Sequence, residues 1–176
     1  MASKNILVIY YSRSGNTRKV AEEIAQSLHC DIEEIRSRVS YPQNFWGYQR
    51  ALLHASFKKK PEIQMVQSLL EDYDLVIVGS PVWGGALSAP IRSFFDRNKD
   101  ELRNVVFFLT QGGEFGRKKV FTQMKELCLK TPLTTFAVTE RDVRSGKFKK
   151  QVAEFIASLN LERSETATEV PRSIEL

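Results

Sequence analysis

Residues 5–28 read NILVIYYSRSGNTRKVAEEIAQSL, and the hydrophobic period changes in the middle of them. Ile6 to Tyr11 is an unbroken apolar run, the pattern of a strand buried on both faces. Val20, Ala21, Ile24, Ala25 and Leu28 then recur at helical spacing. Between them stands Ser12–Thr17, SRSGNT, with three hydroxyls, one glycine and one asparagine. Backbone N–H groups at a helix start lack intrahelical partners, and the helix dipole favours an anion there. Ser12, Ser14 and Thr17 add hydroxyl donors, Asn16 adds an amide, and Gly15 lets the chain curl tightly. Arg13 either touches the same anion or stands exposed beside it. These residues describe a phosphate cradle without a lysine. Plain capping of the helix by serine or asparagine is the competing explanation. Neither GxxxxGK[ST] nor GxGxxG occurs, so a P-loop and a Rossmann pyrophosphate turn are disfavoured.

The strand–helix alternation continues along the chain. Asp31–Ile35 reads as a short polar strand, Leu75–Gly79 and Asn104–Thr110 as buried strands, and Thr134–Val138 as a fifth. Helical stripes separate them: Pro90 with Phe94 and Phe95, then Val120 to Cys128, then Phe148 to Leu159. This pattern predicts an α/β fold, a doubly wound five-stranded parallel sheet with helices on both faces. One long connection, Ser40–Pro61, breaks the rhythm; it carries Tyr41, Phe45, Trp46 and Tyr48 and suits a short helix at Tyr48–Phe57. It either lies over a bound ligand or covers the sheet edge. Residues 1–161 are expected to form one domain and 162–176 a loosely ordered polar tail.

Composition narrows the function classes. The chain has 176 residues, 42% of them hydrophobic, and a formal charge of +5. No apolar run approaches the ~20 residues of a membrane span. The N-terminal run lacks a cleavage-site pattern, so no signal peptide is expected. Cys30 and Cys128 are far apart, and only His29 and His54 could join them; neither a disulfide framework nor a metal site is expected, and the cytoplasm is the expected compartment. The basic clusters at Lys58–Lys60, Arg117–Lys119 and Lys147–Lys150 come without any nucleic-acid-binding motif, so nucleic acid is not an expected partner.

Ligands of doubly wound sheets bind beyond the carboxyl ends of the strands, where strand order reverses. The third strand leads into SPVWGG and the fourth into TQGGE. Trp83 is either a core tryptophan or a flat surface for a ligand, and Gly84 and Gly85 suit close backbone approach. Gly112 and Gly113 do the same in the later loop, with Gln111 and Glu114 as polar contacts.

Together, YYSRSGNTRKVAEEIA, GSPVWGGALSAPIRSFFD and FFLTQGGEFG resemble the flavodoxin family over residues 4–160, most nearly its short-chain flavodoxin-like members. The resemblance implies strand order 2-1-3-4-5 and noncovalent FMN at the switch point. It places the FMN phosphate on Ser12, Arg13, Ser14, Gly15, Asn16 and Thr17. The ring falls between Pro81, Val82, Trp83, Gly84 and Gly85 on one side and Thr110, Gln111, Gly112, Gly113 and Glu114 on the other. The peptide at Gly84 or Gly85 would turn its carbonyl to flavin N5 when the flavin gains a hydrogen. No side chain need act as acid or base. The implied function is electron carriage through FMN between redox partner proteins. An FMN-dependent NAD(P)H:quinone-type oxidoreductase, taking a quinone-like or nicotinamide substrate, is the alternative, and a flavin-free interaction domain of the same fold is the second. Either a monomer or a homodimer is compatible. Two departures stand out: the chain is basic where electron-shuttle flavodoxins are acidic, and its third loop carries no aromatic.

Overall fold

The computed structural model describes residues 5–113 and 115–159. The expected tail, 162–176, lies outside the described residues. Six strands and six α-helices follow one another as β1 (Ile6–Tyr10), α1 (Asn16–Leu28), β2 (Asp31–Glu34), α2 (Phe45–Ser56), β3 (Leu75–Trp83), β4 (Ala86–Leu87), α3 (Ala89–Asn98), β5 (Asn104–Gln111), α4 (Arg117–Cys128), β6 (Thr135–Thr139), α5 (Glu140–Ser145) and α6 (Phe148–Ser158).

Five strands pair in parallel in the order β2-β1-β3-β5-β6, and β4 pairs antiparallel with β3 alone. Leaving β4 aside, this is the expected 2-1-3-4-5 order. The reversal of strand order falls between β1 and β3, where Ile6–Tyr10 run beside Leu75–Gly79. Both are buried because both faces of the sheet carry helices. In β1, Leu7 and Ile9 join a core with Ala51 and Ala55 of α2, Ile91, Phe94 and Phe95 of α3, and Val120 and Met124 of α4. Ile6, Val8 and Tyr10 point the other way, into Val20, Ala21 and Ile24 of α1 and Val152 and Phe155 of α6. The two-residue period of the strand thus feeds two cores from one apolar run.

At the edge, β2 is short and acidic, which discourages pairing with another chain. Arg18 of α1 clasps Glu34 at its end through two bonds of 2.8 and 2.7 Å.

The largest departures from the expected elements are at β3–β4, α2 and α5. Strand β3 continues four residues past Gly79 and ends on Trp83. It then reverses into β4 through Gly84 and Gly85, at φ +57° and +73°. Helix α2 begins at Phe45, three residues earlier than the apolar pattern placed it, because Asn44 caps it by accepting from the Gly47 N–H at 2.8 Å. Helix α5, too short to show a periodic stripe, is capped in the same way by Thr139. Among the described residues no helix is long and apolar enough to cross a membrane.

Candidate cofactor-binding site

The carboxyl ends of β1, β3 and β5 lie side by side, so the three loops singled out in the sequence leave the sheet at one edge. In the first loop the chain passes β1 with the Tyr11 N–H still donating to the Gly79 carbonyl at 3.2 Å. Ser12 Oγ accepts from the Gly15 N–H at 3.1 Å, which folds the loop back on itself. Asn16 donates to the Ser14 hydroxyl at 3.4 Å. Helix α1 starts after Gly15 with no side-chain cap and no acidic residue in its first turn. Its leading N–H groups and the positive end of its dipole are left uncompensated by any side chain.

Thr17 points inward and is 1% exposed. Its hydroxyl meets that of Thr110 at 2.7 Å, tying the first loop to the end of β5. Arg13 is committed to the Ser40–Pro61 connection. It donates to the Pro42 carbonyl at 3.2 Å and stands 5.6 Å from the centre of the Tyr48 ring, a cation–π contact.

In the second segment, Pro81, Val82 and Trp83 belong to the strand and not to a loop. Two residues with positive φ between paired strands make a type I′ turn, which needs glycine. That turn accounts for both glycines of SPVWGG. The buried hydroxyls of Ser80 and Ser88 meet at 2.9 Å across its base. The Trp83 indole is buried among aromatic rings of its own chain. Tyr41 lies 4.9 Å from it at a tilt, and Tyr11 lies 5.7 Å away edge-on. Such pairs contribute about 0.5–1.5 kcal/mol each beyond their burial.

In the third segment, Thr110 and Gln111 are the buried last residues of β5. Gly112 and Gly113 are exposed, with open space where a side chain would stand. Glu114 lies outside the described residues. Beyond it, Phe115 reaches the turn of the second segment; a Cβ on Gly85 would stand 2.7 Å from its ring.

The connection contributes what the sequence left undecided. Of its five aromatics only Tyr41 is buried, and it covers Trp83; Phe45, Trp46, Tyr48 and Phe57 are exposed. The Tyr41 hydroxyl meets His54 Nδ1 at 2.8 Å. Burial pushes the Tyr41 phenol up to about 12. Burial, with Arg50 and Lys59 nearby, holds His54 below the usual histidine range. Tyr11, Tyr41, His54 and Phe115 were not singled out as site residues. The signal for Tyr11 was its place directly before Ser12, whereas the contacts of Tyr41 and Phe115 are made across the fold. An open groove of about 390 Å³ runs on the β2 side of the first loop, lined by Tyr11, Ser12, Arg13, Arg36, Ser37 and Tyr41 among others. It draws nothing from the second and third segments.

Six buried side-chain polar atoms among the described residues lack a hydrogen-bond partner. Three of them fall in this region, one in each segment: Arg13 Nε, Trp83 Nε1 and Gln111 Oε1. The others are two nitrogens of Arg92 and Gln151 Oε1. Buried polar groups are nearly always satisfied by protein, water or ligand, so three orphans around one sheet edge mark an incomplete polar network. Two donors, one acceptor, an uncapped helix start and two open glycines fit a ligand with an anionic end and a polar-edged ring. Among the described residues no group of three or more His, Cys, Asp or Glu could hold a metal ion. Cys30 and Cys128 are free thiols.

A parallel sheet in this order, with three loops leaving it at the switch point, defines a doubly wound α/β protein. Residues 5–155 match the flavodoxin family, and the chain belongs to it. A flavoprotein from Lactobacillus acidophilus NCFM, solved in complex with FMN, is 29% identical with TM-score 0.66 and covers 82% of this chain and 97% of its own. A protein from Bacteroides uniformis is 17% identical with TM-score 0.72, covering 89% and 99%. Oxidised flavodoxin 1 from Bacillus cereus is 19% identical with TM-score 0.50, covering 85% and 97%. The last two bear on the fold alone. No curated protein matches the chain.

Proposed function

We propose that the chain binds FMN noncovalently and serves as an electron carrier between redox partner proteins. The observation that carries this reading is the set of three orphaned polar atoms, one from each converging segment, beside a helix start without a cap. FMN brings a dianionic phosphate and a ring with donors and acceptors along its edge. The N-terminal N–H groups of α1, with the Ser14 hydroxyl and the Asn16 amide, would hold the phosphate. The ends of β3 and β5 would hold the ring edge through Gln111 and the backbone of Gly112 and Gly113. Bound FMN would supply the redox chemistry; the protein would set its environment and dock partners. Two unpaired cysteines suit the reducing cytoplasm.

A reductase that takes hydride from a nicotinamide and passes it to a quinone-like acceptor is the second reading. It is favoured by the exposed aromatics Phe45, Trp46 and Tyr48, which stand on the connection that reaches Arg13 and offer flat surfaces to a second ring.

Titration of the flavin-free protein with FMN and with riboflavin tests the cofactor. FMN should bind more tightly, and equal affinities would overturn the phosphate site. Anaerobic addition of NADPH, then NADH, to the FMN-loaded protein separates the two readings. A flavin band that stays, yet falls with dithionite, supports the carrier. Rapid bleaching by a nicotinamide replaces it with the reductase.

A further inference from the structure

Tyr41 and His54 are not among the residues proposed to hold FMN, and with Trp83 they form a chain of contacts from the buried end of β3 to the surface of α2. The Trp83 and Tyr41 rings are 4.9 Å apart, and the Tyr41 hydroxyl is 2.8 Å from His54 Nδ1. Trp83 and Tyr41 are 5% and 6% exposed, whereas His54 is half-buried on α2. The order from inside to outside is indole, phenol, imidazole.

Each member suits one step of a one-electron oxidation. An indole that loses an electron becomes a radical cation, and it normally relaxes by giving up its N–H proton. Among the described residues no group accepts the Trp83 N–H. In the flavin-free protein a hole on Trp83 therefore keeps its full oxidising strength. A phenol yields an electron readily only when its proton leaves in the same event, because the phenol radical cation is a very strong acid. His54 Nδ1 is positioned to take that proton. The phenol is the stronger acid of the pair, so it donates, with the imidazole hydrogen on Nε2. Burial, together with neighbouring Arg50 and Lys59, holds His54 below the usual histidine range, which favours the neutral ring that can accept a proton. Tyr11 provides the internal contrast. Its ring is 5.7 Å from Trp83, but no group of the described residues accepts its phenolic hydrogen.

We propose that Trp83, Tyr41 and His54 form a one-electron conduit that carries oxidising equivalents from the ligand-facing edge of the sheet to the protein surface. A free-radical oxidant takes one electron from Trp83 and leaves as its anion. Tyr41 returns one electron to Trp83, restoring the indole, and its phenolic proton moves to His54 Nδ1. The products are a neutral phenoxyl on Tyr41 and an imidazolium at His54. A thiol- or ascorbate-class reductant then delivers an electron to Tyr41, and His54 returns the proton. The net reaction passes one electron from the external reductant to the oxidant, and the protein ends unchanged.

Pulse radiolysis of the flavin-free protein with azide radical tests the conduit independently of any FMN reading. Trp46, the only other tryptophan, is first replaced by Phe so that every indole signal belongs to Trp83. In Trp46→Phe the indole radical should decay as a tyrosyl signal rises. Adding Tyr41→Phe should leave the indole radical long-lived with no matching tyrosyl rise. Adding His54→Asn keeps a hydrogen-bonding group but no base, and it should slow the transfer by about tenfold or more, as a barrier about 1.4 kcal/mol higher would. Adding Tyr11→Phe should change nothing. The conduit is overturned if no tyrosyl signal forms in Trp46→Phe. It is equally overturned if Tyr41→Phe or His54→Asn leaves the decay unaltered, or if Tyr11→Phe is the change that abolishes the tyrosyl rise.

Discussion

Helices α1 and α4 each begin after a glycine in the left-handed region, Gly15 at φ +89° and Gly116 at φ +87°, and neither has a side-chain cap. Around the two glycines the surroundings differ completely. A Cβ on Gly116 would lie 2.5 Å from the Gly85 Cα, so close approach to the β3–β4 turn explains that glycine. A Cβ on Gly15 would meet nothing within 4 Å. Packing as well as backbone conformation therefore requires glycine at the start of α4, whereas at the start of α1 only the left-handed φ does, and the space beside it is open. Side-chain caps occur on α2 and α5, from Asn44 and Thr139, whereas α3 and α6, like α1 and α4, start without one. An open, uncapped start on a helix of 13 residues, next to three orphaned polar atoms, is where an anionic ligand would complete the structure.

The contrast can be broken by making both glycines alanine. Gly116→Ala should cost about 2–4 kcal/mol, from left-handed strain plus overpacking against the turn. Gly15→Ala should cost about 1 kcal/mol, from strain alone. Urea unfolding measures both, and equal losses would show that packing does not separate the two sites. The ligand side of the contrast is sharpened by Ser14→Ala combined with Thr17→Ala. Lost hydrogen bonds to a charged group are worth about 1.5–3 kcal/mol, so FMN should weaken by about tenfold or more relative to riboflavin. Calorimetric titration of both flavins reads the difference. Equal losses would mean that this helix start does not hold the phosphate.

Most of the fold was legible because its signals are local. The apolar runs Ile6–Tyr11 and Asn104–Thr110 suit strands buried on both faces, and the stripes of α1, α4 and α6 follow helical spacing. The β3–β4 hairpin was missed although its signal was present. Two adjacent glycines between Trp83 and Ala86 are a type I′ turn signature. In the sequence they read as ligand-facing backbone, because β4 is only two residues long and has no alternation of its own. Helix α5 escaped for a similar reason, since six residues do not complete two turns. In the site, the loops were legible from their small residues, but their mutual arrangement was not. That Trp83 lies under Tyr41, that Arg13 is held by Pro42, and that Thr17 faces Thr110 are contacts across 42, 29 and 93 residues. No local pattern encodes such pairings.

The Thr17–Thr110 contact refines the ligand test, because Thr17 has a structural duty besides any role at the phosphate. Thr17→Val keeps the shape and removes the hydroxyl, leaving the buried Thr110 hydroxyl without its partner. The expected loss is about 1–2 kcal/mol of stability. Serine at the same position should recover most of it, and a Thr17→Val protein as stable as the parent would remove the link between the first and third segments.

Asn44→Ala gives a small effect and the most direct control. Asn44 caps α2 through the Gly47 N–H, so its loss should cost about 1 kcal/mol, the usual value for an N-cap. Helix α2 has its end closed by its own chain, and no anion is needed there. FMN affinity should then be unchanged in Asn44→Ala, even though Tyr41 and Pro42, just before the cap, touch Trp83 and Arg13. Titration with FMN checks this. A matching loss of affinity would show that the connection, and not the open start of α1, governs the binding site, and the comparison of helix starts would lose its functional meaning.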